Sequence, residues 1–379
     1  MRGWWGLRNC RERAGRPPRD RKLKGSLPFA LPSRLSPFFA LVLFVTLSGC
    51  LPTCVREEDK SLLPADSTGR RIAAEAPTDT LALLWTRTPS SLTGLSHPRT
   101  VRFDSAGTLW LSDASANTLT AIAPNGAVAS RSAPGLDVPY LAGFRGDTVV
   151  VFSAGENRFD LVHGGRIARQ VRVPELPADE SLLRYGAAWG DGFVVKVGSE
   201  ETSPRLLVLD AAGRLVRTQL LPGPHWRHAG PLRTRGDTLL SICGFRPIYD
   251  RILPDGRRDT VALVGFDSPM LARSRRFMIG DAHAPPLMLP ALVPMPDGHL
   301  FALNLRLGWV QVDVFDRAAR LRQHLIQPHP GPNRQFWPED LDVWQEPSGT
   351  YRLAVTSTRP SPALRMYRWT PSGVVPRIP

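Results

Sequence analysis

Ala106-Gly-Thr-Leu-Trp-Leu-Ser112 couples a tight turn to an apolar strand, and the same design returns five more times. It recurs as Gly146-Asp-Thr-Val-Val-Val-Phe152, Asp191-Gly-Phe-Val-Val-Lys-Val197, Gly236-Asp-Thr-Leu-Leu-Ser-Ile242, Asp297-Gly-His-Leu-Phe-Ala-Leu303 and Ser348-Gly-Thr-Tyr-Arg-Leu-Ala354. A second turn follows each, at Asn125-Gly126, Gly164-Gly165, Ala212-Gly213, Asp255-Gly256, Ala318-Ala319 and Ser372-Gly373. The two turns of a unit lie 19, 19, 21, 20, 21 and 24 residues apart, a near-constant separation. Turn residues at fixed offsets around short Val-, Leu- and aromatic-rich runs mark a four-stranded meander. Six such meanders packed radially leave only short, protected sheet edges. The predicted fold is therefore all-β, a six-bladed β-propeller over residues 79–379. Leu81-Ala-Leu-Leu-Trp-Thr-Arg87 precedes the first full unit and suits the outer strand of the sixth blade. Val374-Val-Pro-Arg-Ile378 competes for that place.

The chain has 379 residues, enough for a substantial core, and its 42% hydrophobic content excludes wholesale disorder and a polytopic membrane protein. Four Cys in such a length exclude a disulfide-built scaffold. The net charge is +14, but residues 1–49 hold ten Lys/Arg against two Asp/Glu, so +8 of it lies there and only +6 in the remaining 330 residues. Nucleic acid is accordingly not an expected partner, and the Arg273-Ser-Arg-Arg276 cluster is too small to change that.

The basic leader ends near Arg34 and runs into Ser36-Pro-Phe-Phe-Ala-Leu-Val-Leu-Phe-Val-Thr-Leu47, too short to span a bilayer and suited to a signal peptide. It closes on Leu47-Ser48-Gly49-Cys50, which resembles the lipobox of bacterial lipoproteins. That resemblance implies a signal peptide over 1–49 and acyl chains on Cys50 that hold the protein to a membrane. Leu51 in place of an Asp after Cys50 points to the outer membrane. Residues 50–78 are polar and without sustained periodicity, and are expected to be a flexible tether of about 30 Å. Cys243, inside an apolar run, is expected to be a buried thiol.

The first unit, His97-Pro98-Arg-Thr-Val-Arg-Phe-Asp104-Ser-Ala-Gly107 through Asp113, Asn117 and Asn125-Gly126, is similar to the blade of NHL-repeat-like and TolB-like propellers. The other five units keep the turns but largely lose the Asp113/Asn117 pair. The resemblance implies the fold, and implies either a binding module or an enzyme, because such propellers include both.

In this meander the tight turns share one face and the longer loops the other. The link between the fourth and fifth blades is the longest, a 25-residue insertion over 265–289 whose Pro269–Ile279 part has helical character suited to capping the central opening. The starts of the inner strands should ring the channel on the long-loop face, bringing together His97, Arg99, Tyr140, Arg184, Tyr185, Arg227 and His228. Guanidinium groups with aromatic rings suit a small anionic or sugar-like ligand, a glycan or an envelope protein. Glu339, Asp340 and Asn304 are candidate oxygen ligands for a Ca²⁺ ion, the set that a resemblance to Ca²⁺-dependent lactonase propellers would require. The leading expectation is a non-catalytic binding module, and the alternative is a lactonase-like hydrolase. Two Arg-Gly-Asp triplets, at 145–147 and 235–237, fall at equivalent hairpin turns, so turn chemistry accounts for them. His225-Trp-Arg-His228 has no further ligand at metal spacing.

Overall fold

A computed structural model describes residues 66–132, 135–174, 183–199, 202–306, 308–329 and 336–371. Cys50, the signal segment 1–49 and the run 374–378 lie outside the described residues. The described residues form six blades of four antiparallel strands, one of them extended by a fifth, parallel strand, confirming the propeller. The first blade is β3 (Pro98–Phe103), β4 (Leu109–Asp113), β5 (Thr118–Ile122) and β6 (Val128–Ser132). The second is β7 (Pro139–Arg145), β8 (Thr148–Ser153), β9 (Arg158–His163) and β10 (Arg166–Arg172). β11 (Leu183–Trp189), β12 (Gly192–Gly198), β13 (Arg205–Leu209) and β14 (Leu215–Leu220) make the third. The fourth holds β15 (Leu232–Arg235), β16 (Thr238–Ile242), β17 (Ile248–Ile252) and β18 (Arg258–Ala262). The fifth holds β19 (Ala291–Pro294), β20 (Leu300–Leu305), β21 (Val310–Phe315) and β22 (Leu321–Ile326).

The sixth blade closes the ring. β23 (Trp337–Gln345), β24 (Tyr351–Arg359) and β25 (Ala363–Trp369) take their fourth strand from the other end of the sequence, β2 (Ala82–Arg87). β2 pairs antiparallel with β25, Leu83 opposite Tyr367. Inner strands touch in cyclic order, and β23 packs on β3 to complete the circle.

The turns that carry the repeat do so through a local device. Asp104 Oδ1 accepts the amides of Ala106 and Thr108, and Asp210 and Asp316 do the same for their own hairpins. In both Arg-Gly-Asp turns the glycine has a positive φ, 58° at Gly146 and 52° at Gly236, where a Cβ is disfavoured. Between blades the inward alternation of each strand builds the core. Phe159 stacks on Phe193 at 4.5 Å and tilts against Phe152, all three fully buried between the second and third blades. Each such ring contributes about 1.5–3 kcal/mol by leaving water.

Two expectations need correction. The tether does not run to 78: residues 66–75 form helix α1 (Asp66–Glu75), and β1 (Thr78–Thr80) adds a fifth, parallel strand to β22. Ile72 of α1 is buried and packs against Gly265, where φ is +90° and an added Cβ would meet Ile72 Cγ2 at 2.6 Å. One apolar side chain on a polar helix leaves no periodic pattern, so only the surface it packs on reveals it.

The insertion is likewise not a detachable cap. Its helix α2 (Leu271–Met278) lies where helical character was predicted, but it packs on the fourth blade. Phe277 meets Trp226 edge to face at 5.0 Å, and Ser274 Oγ donates to the Phe245 carbonyl. Phe266, Met288 and Leu289 flank the helix as buried core residues. Among the described residues no helix is long and apolar enough to cross a membrane.

Candidate functional site

Every inner strand begins at the long-loop face and runs toward the tight turns, so side chains early in these strands lie nearest the mouth of the axial channel. Deeper in, the channel is closed by charge. Arg102 of β3 and Arg233 of β15 bind the two oxygens of Asp340 at 2.7 Å each, and Arg233 also reaches Asp342 Oδ1 at 3.4 Å. The amides of Val101 and Phe103 donate to Asp340 Oδ2 and Asp342 Oδ2, at 3.1 and 2.7 Å. All four charged side chains are buried. Arg233 belongs to the fourth blade and its partners to the sixth, so the contact bridges across the channel, skipping the fifth blade. Two guanidinium groups face two carboxylates, which leaves the plug neutral, with Arg233 Nε the one buried nitrogen of that residue lacking a hydrogen-bond partner among the described residues. Burial pushes Asp342 up, opposed by Arg233 and Arg102.

Nearer the mouth, Arg99 Nη1 binds Glu339 Oε2 at 2.7 Å, while Thr358 Oγ1 donates to Glu339 Oε1 at 2.8 Å. The Arg99 guanidinium lies over the Tyr140 ring, 5.6 Å from its centroid. Tyr185 stands near the same group, its phenol raised by burial. His97 is held with its backbone amide on Asp113 Oδ2 at 2.8 Å, and its ring is lowered by burial and by Arg99. Five predicted site residues therefore assemble: His97, Arg99, Tyr140, Tyr185 and Glu339. All but Arg99 are half-buried, and so reach both the protein and solvent.

The remaining candidates lie elsewhere. Arg184 is tied to the second blade through Asn157 Oδ1 at 3.1 Å and the Ala154 carbonyl. Arg227 and His228 sit in a short 3-10 turn, His225–His228, that directs them into the fourth blade. Arg227 binds Asp250 and Thr260 there, and His228 Nε2–H donates to the Pro222 carbonyl at 2.8 Å. Burial lowers the His228 ring to about 3, so it stays neutral.

Asn304 is separate again: its amide donates to Asp313 Oδ2 and the Asp267 carbonyl, both at 2.7 Å. It shares no partner with Glu339 or Asp340. A Ca²⁺ ion takes six to eight oxygens, whereas all four oxygens of these carboxylates already face guanidinium, hydroxyl or amide donors. The three residues do not fit the ion. Among the described residues no group of three or more His, Cys, Asp or Glu is arranged to hold a metal.

Sequence reasoning missed Arg102, Arg233 and Asp342. The alternation Asp340-Leu341-Asp342, which puts both carboxylates on one face of β23, was the available signal. It also missed Lys196, an isolated Lys within the apolar strand β12. Its ammonium lies between Ser241 Oγ at 3.0 Å and the Tyr185 ring at 5.1 Å, with no solvent exposure. Cys243 is buried as expected, and burial raises its thiol.

No protein-family model matches the chain, and no curated protein does. Solved structures do. A calcium-binding protein, regucalcin, from Agrobacterium tumefaciens is 13% identical, with 77% of this chain and 95% of that one covered at a TM-score of 0.51. A streptogramin B lyase is 14% identical over 76% of this chain and 88% of that one, TM-score 0.48. The virginiamycin B lyase from Staphylococcus aureus is 12% identical over 76% and 89%, TM-score 0.46. At such identities the likeness concerns the propeller fold alone.

Proposed function

We propose that this chain is a non-catalytic recognition module, exported and held at the cell envelope through Cys50, that takes a small anionic or sugar-acid ligand at the long-loop mouth of its channel. The observation that carries the reading is Arg99, flanked by Tyr140 and Tyr185 and backed by Glu339, above a channel plugged with neutral ion pairs. A guanidinium beside aromatic faces recognises a carboxylate attached to a ring. The pairing of Glu339 and Asp340 supports a binding role over a catalytic one. A general acid or base needs a proton-transfer position facing the substrate, and both carboxylates spend theirs on donors from the protein.

Calorimetric titration of the full chain with uronic acids and aromatic carboxylates tests this. One of them is expected to bind, with affinity falling about tenfold or more in Arg99→Met. Equal binding by the variant refutes the site. Ca²⁺ is expected to leave the melting temperature unchanged, and a rise of several degrees with Ca²⁺-dependent lactone hydrolysis would replace this reading with the enzyme one. Cys50→Ser is expected to move the protein from the membrane to the soluble fraction, and continued membrane association would refute the lipid anchor.

A further inference from the structure

β14 is the outer strand of the third blade; among the described residues it pairs with β13 on one side and with no strand on the other. Leu215, Val216 and Leu220 on it are 49%, 66% and 69% exposed, three of the seven large apolar side chains exposed among the described residues. Open sheet edges are ordinarily blunted by charge or by a covering element, because their free N–H and C=O groups template another strand. The edges of the neighbouring blades follow that rule. β10 carries Arg166, Arg169 and Arg172, and β18 begins with Arg258-Asp259. In the fifth blade β1 pairs on β22, and α1 is clamped there by His324, whose ring bridges Asp313 Oδ1 and the Ala73 carbonyl at 2.7 and 3.0 Å. β14 has neither an outward charge nor a cover.

The single charged residue of β14, Arg217, lies sideways toward the fourth blade, where Nη1 donates to the Pro254 carbonyl at 3.1 Å. A bulge leaves Val216 outside the ladder, and the register is regular from Arg217 to Leu220, opposite Val208 to Arg205. Cations flank this stretch. Arg169 of β10 donates to the Ala211 carbonyl at 2.8 Å, and Arg205 of β13 to the Ser203 carbonyl at 3.5 Å. Neither of these nor Arg217 lies within ion-pair distance of a carboxylate among the described residues. The carboxylates of the two flanking hairpins are already taken, Asp210 by Arg214 at 2.7 Å and Asp255 by Arg257 at 2.6 Å. The edge therefore joins exposed aliphatic side chains to three guanidinium groups without counter-charge. A second copy pairing on it about a two-fold axis would set Arg217 beside its own counterpart, and like charges disfavour that. The same field favours an acidic partner.

We propose that β14 is a docking edge that takes an extended, acidic segment of another protein as an added strand. The partner's main chain pairs along Arg217–Leu220, its apolar residues cover Val216 and Leu220, and its carboxylates face Arg169, Arg205 and Arg217. The edge lies on the outer rim of the ring and is independent of the ligand site at the channel mouth.

The test titrates the full chain with two acetylated, amidated heptapeptides, Glu-Val-Glu-Val-Glu-Val-Glu and Lys-Val-Lys-Val-Lys-Val-Lys, followed by fluorescence anisotropy at low salt. The acidic peptide is expected to saturate with a dissociation constant near or below about 1 mM and to slow hydrogen exchange within 215–220, and the basic peptide not to bind. Val216→Ser combined with Leu220→Ser is expected to weaken the acidic peptide about tenfold, and Arg169→Gln about threefold. Val128→Ser, on the exposed edge of the first blade, is expected to leave it unchanged. If the double variant fails to fold, Arg169→Gln and the exchange map carry the test, because Arg169 is exposed. Absence of saturable binding of the acidic peptide, equal binding of the basic one, or unaltered affinity in the double variant overturns the proposal. A dimer in sedimentation equilibrium that the double variant abolishes also overturns it, and would assign the edge to a second copy of this chain.

Discussion

Lys196→Met should make the protein more stable at neutral pH. Burial pulls the Lys196 ammonium down to about 7 from its ordinary 10.5, with Cys243 and Asp250 only partly opposing it. At about 1.4 kcal/mol per pH unit, that depression corresponds to a folding penalty of about 4 kcal/mol at pH 7. The sign follows from proton binding. Between about 7 and 10.5 the unfolded chain holds the proton and the folded chain releases it, so wild-type stability rises with pH across that window at up to about 1.4 kcal/mol per unit.

Methionine has nearly the same length and no charge to desolvate. It forfeits the 3.0 Å contact with Ser241 Oγ and the stacking over Tyr185, together worth about 1–2 kcal/mol. The net gain at pH 7 is therefore about 2–3 kcal/mol. Urea unfolding of the full chain and the variant at pH 7, 8 and 9 reads both quantities. The advantage of the variant should shrink with pH and reverse near pH 9–10, because other titrations are common to both proteins and cancel. A variant less stable at pH 7, with the wild-type slope retained, would refute the placement of a buried, depressed amine between the third and fourth blades.

Other perturbations follow from the same contacts. His324→Gln should destabilise α1 docking by about 1.5–3 kcal/mol at pH 5.5. Its folded titration is raised, so the stabilisation is complete below 6.5 and disappears as pH climbs through the folded value; equal differences at pH 5.5 and 8.5 would contradict the charged clamp. Gly265→Ala should cost about 1–3 kcal/mol, since the new methyl meets Ile72 and the backbone is left-handed there. Faster proteolysis within 66–80 is the expected readout. Deleting 265–289 should leave no folded protein, because Phe266, Phe277, Met288 and Leu289 go with it. A cooperative melt of that deletion would show the insertion to be dispensable after all.

The blade count was legible because its signal is short-range. A glycine at positive φ in the first hairpin turn of a blade is chemistry confined to the turn itself, and its six copies, Gly107, Gly146, Gly190, Gly236, Gly298 and Gly349, announce six blades. Asp113 and Asn117 were singled out through the likeness to an NHL-type blade, and their partners lie up to 21 residues away. Asp113 takes four amides of its own loop region, and Asn117, at φ 53°, accepts from Val138 at the start of the next blade. The first strand of the sixth blade's outer edge was narrowed to two runs, and pairing with β25 selected Leu81–Arg87 over the competitor.

The candidate site was legible in half. Inner-strand starts do gather at one mouth, which brought His97, Arg99, Tyr140, Tyr185 and Glu339 together. Arg227 and His228 were misplaced because a 3-10 turn, with no periodic signature in four residues, rotates them into the fourth blade. Asn304 was grouped with Glu339 and Asp340 on residue type, whereas its strand serves the fifth blade's own polar layer.

Alternation, turn residues and their spacing are written into the chain, since each depends on neighbours a few positions away; they determined an all-β body of six meanders with unequal faces. Which charges meet inside was decided only by closure of the ring. Arg233 and Asp340 stand 107 positions apart, and nothing local relates them until the radial packing of blades brings the fourth and sixth across a common axis. Burial then selects the partner, because a charge enclosed in low dielectric is stable only against its opposite.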